Sequence, residues 1–251
     1  MTKENEDENA FYDLVGRGNG WDFSGVRCRT EGQPPDLYGD AARYMGPACL
    51  MLDIGTGGGE AVLRVADNVR LLVGIDRSAG MIEQAKRSLE RTLELPARFV
   101  RMDANKLEFP ESFFDLVTCR HSPFSAKEVY RVLAPGGVFL TQQVGEEDKR
   151  SLKAFFGRGQ HGGAAPGTLL RRCLGELHEA GFTKIEWEES DTAEYYEQYE
   201  DLLFLLLHTP ILPDFRKRDG DAERLRQYVE RYRTPQGIPA NAARFIIKAV
   251  K

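Results

Sequence analysis

The chain has 251 residues, 41% of them hydrophobic and 29% charged, with a formal net charge of −5. That length and composition exclude a disordered chain and a small disulfide-held one, and they fit a single α/β domain spanning residues 1–251. Net acidity argues against a nucleic-acid partner, and no window approaches the ~18 consecutive apolar residues that a membrane helix needs.

The opening stretch, MTKENEDENA, is acidic without an apolar run, so no signal peptide and a cytoplasmic protein are expected. Cys28, Cys49, Cys119 and Cys173 are far apart with no CxxC pair, which argues against a zinc site and a disulfide framework. Residues 1–39 include the glycine-rich GRGNGWDFS (Gly16–Ser24). This segment is expected to pack on the domain, and with Trp21 and Phe23 it is a candidate cover for a site.

Short apolar runs bounded by Gly, Pro or Asp predict strands at Cys49–Ile54, Arg70–Ile75, Arg98–Met102, Phe114–Cys119 and Val138–Gln142. Helical windows alternate with them at Glu60–Asp67, Ala79–Thr92 and Ala126–Leu133. Ser78 is placed to cap the second, ahead of a Met81, Ile82, Ala85, Leu89 stripe. Such alternation predicts a doubly wound, mostly parallel sheet. A helix at Thr168–Ala180 and strands at Phe182–Glu189 and Asn241–Val250 complete it. Residues 190–240 read as an inserted helical cap between the last two strands, with Tyr195, Tyr199, Leu202, Leu203 and Leu206 along one helix face. The acidic run Glu186–Asp201 and the basic run Phe215–Arg233 read as solvated faces.

The first strand leads into LDIGTGGGE, where Gly55, Gly57 and Gly59 let a ligand approach backbone ahead of a helix N-terminus. Asp76 ends the second strand, 21 positions after Gly55, where a carboxylate can accept both hydroxyls of a ribose. A dinucleotide fingerprint needs glycine at position 60, which is Glu60. Asp53, before the turn, could meet an ammonium group, and Asp103, after the third strand, an adenine amino group. Three carboxylates at three consecutive strand ends suit S-adenosylmethionine better than NAD.

LDIGTGGGE, VGIDRSAGMIEQAK, RMDANKLEFPESFFDLVTCRH and EVYRVLAPGGVFL resemble the successive motifs of class I S-adenosylmethionine-dependent methyltransferases of the type-11 kind. The resemblance covers residues 50–143. It implies a seven-stranded sheet in the order 3-2-1-4-5-7-6, strand seven antiparallel, and S-adenosyl-L-methionine as cofactor. It also implies cofactor contacts at Asp53, Gly55, Thr56, Gly57, Gly59, Asp76, Arg77, Met81, Met102, Asp103, Ala104 and Arg120. Arg120 and His121 would border the methyl group, and His121 is the candidate catalytic base. Ser122-Pro123-Phe124 matches in part the Asn/Asp-Pro-Pro-Tyr/Phe motif of amino-group methyltransferases. Gln143 on the fifth strand, with Tyr195 and Tyr199 from the insertion, are the candidate substrate contacts.

The expected activity is methyl transfer to a nitrogen or oxygen of a small-molecule acceptor. An RNA-base methyltransferase using the basic run, and a non-catalytic S-adenosylmethionine-binding regulator, are the alternatives.

Overall fold

The computed structural model describes residues 3–92 and 94–251; the first two residues of the acidic stretch and Leu93 lie outside the described residues. In chain order the elements are α1 (Lys3–Gly18), β1 (Cys28–Glu31), α2 (Leu37–Ala41), β2 (Leu50–Ile54), β3 (Leu71–Asp76), α3 (Ala79–Glu90), β4 (Ala97–Arg101) and β5 (Phe114–Arg120). Then follow α4 (Ala126–Val132), β6 (Leu133–Val144), α5 (Arg150–Phe156), α6 (Thr168–Ala180), β7 (Lys184–Tyr196), α7 (Tyr199–His208), α8 (Asp221–Tyr232) and β8 (Ile238–Val250).

One sheet holds all eight strands, in the order β1-β7-β8-β6-β5-β2-β3-β4. Numbering β2 to β8 as strands one to seven gives 3-2-1-4-5-7-6 from the β4 edge, with β8 antiparallel to both neighbours. The expected order is therefore present, and the count of seven is corrected by an edge strand. β1 pairs antiparallel with the end of β7, Cys28 opposite Tyr196. Its CRTE sequence has no apolar alternation, because its role is to cap an edge with backbone hydrogen bonds.

Period-two alternation fills the two faces. Leu52, Val73 and Val117 share one core with Val129 of α4 and Leu177 of α6. Met51, Leu72 and Leu116 join the other core with Leu37 of α2 and Ile82 and Ala85 of α3. Each of the buried Val, Leu, Ile and Met side chains among these contributes on the order of 1.5–3 kcal/mol. Ser78 caps α3 as expected, accepting from the Met81 N–H at 3.1 Å. The window at residues 60–67 is a 3-10 helix, Val62–Asn68.

The acidic start of the chain forms α1, which lies on α3. A Cβ on Gly16 would come within 2.5 Å of the Gly80 carbonyl carbon, so the two backbones touch. Asp13 fixes the contact, accepting from Ser78 Oγ at 2.6 Å and the Gly80 N–H at 3.1 Å.

The inserted cap is smaller than expected and holds two helices. β7 continues to Tyr196 and β8 begins at Ile238, so only residues 197–237 lie between them. Tyr195 is thus a strand residue opposite Pro239, not part of a helical stripe with Tyr199. The β-branched and aromatic character of Thr192, Tyr195 and Tyr196 favours the strand, and its pairing partners run residue for residue down to Ile238. Pro239 is tolerated because β6, paired only as far as Val144 opposite Arg244, no longer flanks that part of β8. α7 ends at His208, just before Pro210. Leu202 and Leu206 of α7 pack with Leu225 and Val229 of α8 and Leu152 and Phe156 of α5 in a third core. Since β7 is parallel to β6, this cap stands at the carboxyl edge of the sheet.

Candidate functional site

A cleft of about 360 Å³ opens at that carboxyl edge. Gly55, Thr56 and Gly57 after β2 line it, with Asp76, Arg77 and Met81 after β3, Met102, Asp103 and Ala104 after β4, and Arg120 and His121 after β5. The N-terminal segment closes it with Tyr12, Trp21, Asp22, Phe23, Ser24 and Tyr38.

The glycine turn has its shape because its positions demand glycine. Gly55, Gly57 and Gly59 have φ of +69°, +57° and +79°. A Cβ on Gly55 would overlap Ser122 Cβ and Oγ, so the turn lies directly against the loop after β5. The Asp76 carboxylate spans turn and helix, accepting from the Gly57 N–H at 3.1 Å and the Ser78 N–H at 2.9 Å. Burial raises its pKa, and those two N–H groups oppose the rise. Asp103 is exposed and accepts from the backbone N–H and the side-chain amide of Asn105. Glu60, where a dinucleotide site would have glycine, instead accepts from the Trp21 N–H at 3.1 Å and ties the N-terminal segment to the turn.

Asp53 is not on the cleft surface. It is 1% exposed, and its Oδ1 accepts from Tyr38 Oη at 3.1 Å and Thr118 Oγ1 at 2.6 Å. Its Oδ2 is buried with no hydrogen-bond partner among the described residues, as is Thr56 Oγ1 beside it in the turn. Burial pushes the Asp53 carboxyl up to about 6, against the pull of the Thr118 and Tyr38 hydroxyls.

His121 has a left-handed backbone, φ +53°, held by its N–H donating to the Gln142 carbonyl at 2.8 Å. Its Nε2 lies 3.3 Å from the Gln142 side-chain amide. Burial, reinforced by the charges of Arg244, Arg120 and Lys149, holds the imidazole well below its usual pKa, so it is neutral near pH 7. Gln143 is buried behind the loop, donating to the Ser122 carbonyl at 2.9 Å, and supports the loop from outside the cleft lining.

Gly59 packs on Phe99 and also lies outside the lining. Neither Tyr195 nor Tyr199 reaches the cleft. Arg29 stacks over the Tyr195 ring, while Tyr199 donates to the Ala222 carbonyl under Arg226. The cap meets the site through Phe204 instead, whose ring packs edge-on against Phe23 at 5.9 Å. Tyr38 and Phe204 carry no motif in the sequence; their place comes from chain segments far apart in sequence.

A methyltransferase-domain family model matches residues 51–137. The chain is 33% identical over 97 residues to the uncharacterized methyltransferase YcgJ of Bacillus subtilis, covering 36% of this chain and 38% of that one. It is 28% identical over 215 residues to the malonyl-[acyl-carrier protein] O-methyltransferase of Geobacter sulfurreducens, covering 76% and 79%. A crystal structure of a functionally unknown protein from Deinococcus radiodurans superposes with a TM-score of 0.61 at 17% identity, covering 98% and 99%. The domain match lies on the glycine turn, the strand-end acids and the loop after β5 described above, and over those residues the chain carries a methyltransferase domain.

Proposed function

We propose that the chain methylates a small-molecule acceptor on nitrogen or oxygen, inside the cleft at the carboxyl edge. One observation carries this reading. A single cleft joins the glycine turn and the acids after β3 and β4 to a second, basic end formed by Arg120 and His121, roofed by the N-terminal segment.

The residues fit S-adenosylmethionine. Asp76, at a strand end and in the cleft, would take the ribose hydroxyls, and Met102, Asp103 and Ala104 the adenine. Gly55 and Gly57 hold the positive-φ turn that brings backbone to the cleft wall. The unpartnered Asp53 Oδ2 is suited to an ammonium group, and its Oδ1 is held by Tyr38, which lines the cleft. When bound, this cofactor supplies an electrophilic methyl on a positively charged sulfur with its leaving group already in place. What remains for the protein is to orient the nucleophile and exclude water. Tyr38, Trp21 and Phe23 form the water-excluding wall. His121 is neutral near pH 7, and with its Nε2 facing the Gln142 side-chain amide at 3.3 Å, Nδ1 is the ring atom left to meet an acceptor.

The basic run that an RNA-base reading requires is largely engaged within the protein. Arg216 donates to the Leu207 carbonyl, Arg224 to Phe155, and Arg233 to Glu197, while Lys217 and Arg226 pair with Asp214 and Glu223. That engagement, with net acidity, favours a small molecule. The relative from Geobacter sulfurreducens is named for a malonyl group on a carrier protein, so a carrier-bound acceptor is a variant of the same reading.

The test is a radiolabelled-methyl screen against pooled metabolites and RNA in parallel, with and without RNase. Calorimetry with S-adenosylhomocysteine and NAD accompanies it. Label in small molecules, homocysteine-nucleoside binding weakened about ten-fold or more by Asp76→Ala, and no NAD binding are expected. RNase-sensitive label would move the assignment to RNA.

A further inference from the structure

We propose that the acceptor carries a carboxylate and that Arg120 is the residue that grips it; this rests on the methyl-transfer reading above. Arg120 is the last residue of β5, half-buried, and lines the cleft beside His121 and Tyr38. Its guanidinium makes no hydrogen bond and no ion pair among the described residues. Asp53 is near enough to feel its charge but forms no ion pair with it, because Tyr38 and Thr118 hold that carboxylate. A guanidinium partly removed from water without a partner is costly, and a carboxylate that meets its planar fork with two parallel hydrogen bonds offsets the cost.

The sheet order sets this charge apart from the acids. β5 lies on one side of β2, and β3 and β4 on the other. With strands about 4.8 Å apart, Arg120 stands about 10 Å from the strand of Asp76 and about 14 Å from the strand of Asp103. The cleft therefore has Asp76 and Asp103 on the far side from Arg120, with Arg64 and Arg77 also in its lining. Arg244 and Lys149 lie farther out on the same side. They pair with Asp148 and Glu194, which leaves Arg120 as the charge offered to a ligand there. An anionic group on the acceptor is what the Arg120 charge favours.

A carboxylate could also come from the cofactor's own amino-acid end, and the experiment separates the two sources. Wild-type and Arg120→Leu protein, each checked for folding by its thermal transition, are titrated with S-adenosylhomocysteine and with 5′-methylthioadenosine, which lacks the amino-acid end. The S-adenosylhomocysteine-saturated proteins are then titrated with benzoate and with benzamide, a neutral probe of the same shape. We expect benzoate to bind wild type about ten-fold or more tightly than benzamide, and Arg120→Leu to erase that preference. S-adenosylhomocysteine affinity should stay within about three-fold, and Arg120→Lys should restore part of the benzoate preference. Benzoate binding no better than benzamide, or undiminished in Arg120→Leu, overturns the proposal. So does a loss of S-adenosylhomocysteine affinity with 5′-methylthioadenosine unchanged, which would give the guanidinium to the cofactor. Failure of wild type to bind S-adenosylhomocysteine at all would instead overturn the methyl-transfer reading.

Discussion

Gly55→Ala tests how tightly the glycine turn and the loop after β5 are joined. Two separate costs follow from the structure. Residue 55 sits at φ +69°, where an alanine is strained by about 1–2 kcal/mol. Its Cβ would also overlap Ser122 Cβ and Oγ. That loop cannot swing aside freely, because the Ser122 carbonyl accepts from Gln143 Nε2 at 2.9 Å and Cys119 Sγ at 3.1 Å. Overpacking against an anchored neighbour costs about 1–3 kcal/mol, for a total of about 2–5 kcal/mol. Ser122→Gly removes the overlapping atoms and leaves the backbone strain. In that background Gly55→Ala should cost only about 1–2 kcal/mol, a coupling of about 1–3 kcal/mol in the double-mutant cycle. Urea denaturation of the four proteins measures it. An equal cost of Gly55→Ala in both backgrounds would refute the contact, and a cost near zero in both would refute the left-handed turn as well.

Asp53→Asn should stabilise the unliganded protein at pH 7.5 by up to about 3 kcal/mol, because burial raises that carboxyl from 3.8 to about 6. A raised acid loses stability as pH climbs from about 4 through 6, so the variant should also flatten that part of a stability–pH curve; an unchanged curve counts against the burial. For His121 the sign is opposite in origin. Its depressed pKa leaves stability intact above the ordinary 6.5 and lowers it as pH falls toward the folded value. Turnover should accordingly be level from about pH 6.5 upward and fall only in acid, with an inflection near 7 as the contrary result. Phe204→Ala should raise the acceptor KM while S-adenosylhomocysteine affinity stays within about three-fold, since its ring meets the cleft only through Phe23. The double variant Tyr195→Ala, Tyr199→Ala should turn over at near the wild-type rate, and a large loss would mean that the cap reaches the acceptor by another route.

Most of the sheet is legible in the sequence because β2, β3 and β5 are short apolar runs buried on both faces, and nothing but a central strand accounts for LMLDI or LLVGID. The ends of the chain read less well for a physical reason. β1 and much of β7 are exposed or half-exposed, so their pairing leaves little hydrophobic periodicity to detect. The stripe Tyr195, Tyr199, Leu202 satisfies helical spacing by accident of position. Tyr195 pairs across to Pro239, and the helix begins only at Tyr199, where Gln198 and Asp201 form a capping box. The N-cap signal was therefore present, one turn later than the apolar stripe suggested.

The two acids at the heart of the site show what position along a strand can and cannot reveal. Asp76 is the last residue of β3, so its carboxylate clears the sheet and reaches the Gly57 and Ser78 N–H groups at the cleft wall. Asp53 is one residue short of the end of β2. There it stands in register between Gly74 of β3 and Thr118 of β5, and its side chain is buried among neighbours that a single sequence does not pair with it. A shift of one residue thus separates a part-buried acceptor in the cleft lining from a fully buried carboxylate with an unpartnered oxygen. Tyr38, which lines the cleft and donates to Asp53 Oδ1, comes from α2, fifteen positions upstream. Local sequence marks Asp53 as a ligand group. The register buries its side chain, and the cleft-lining Tyr38 holds only its Oδ1.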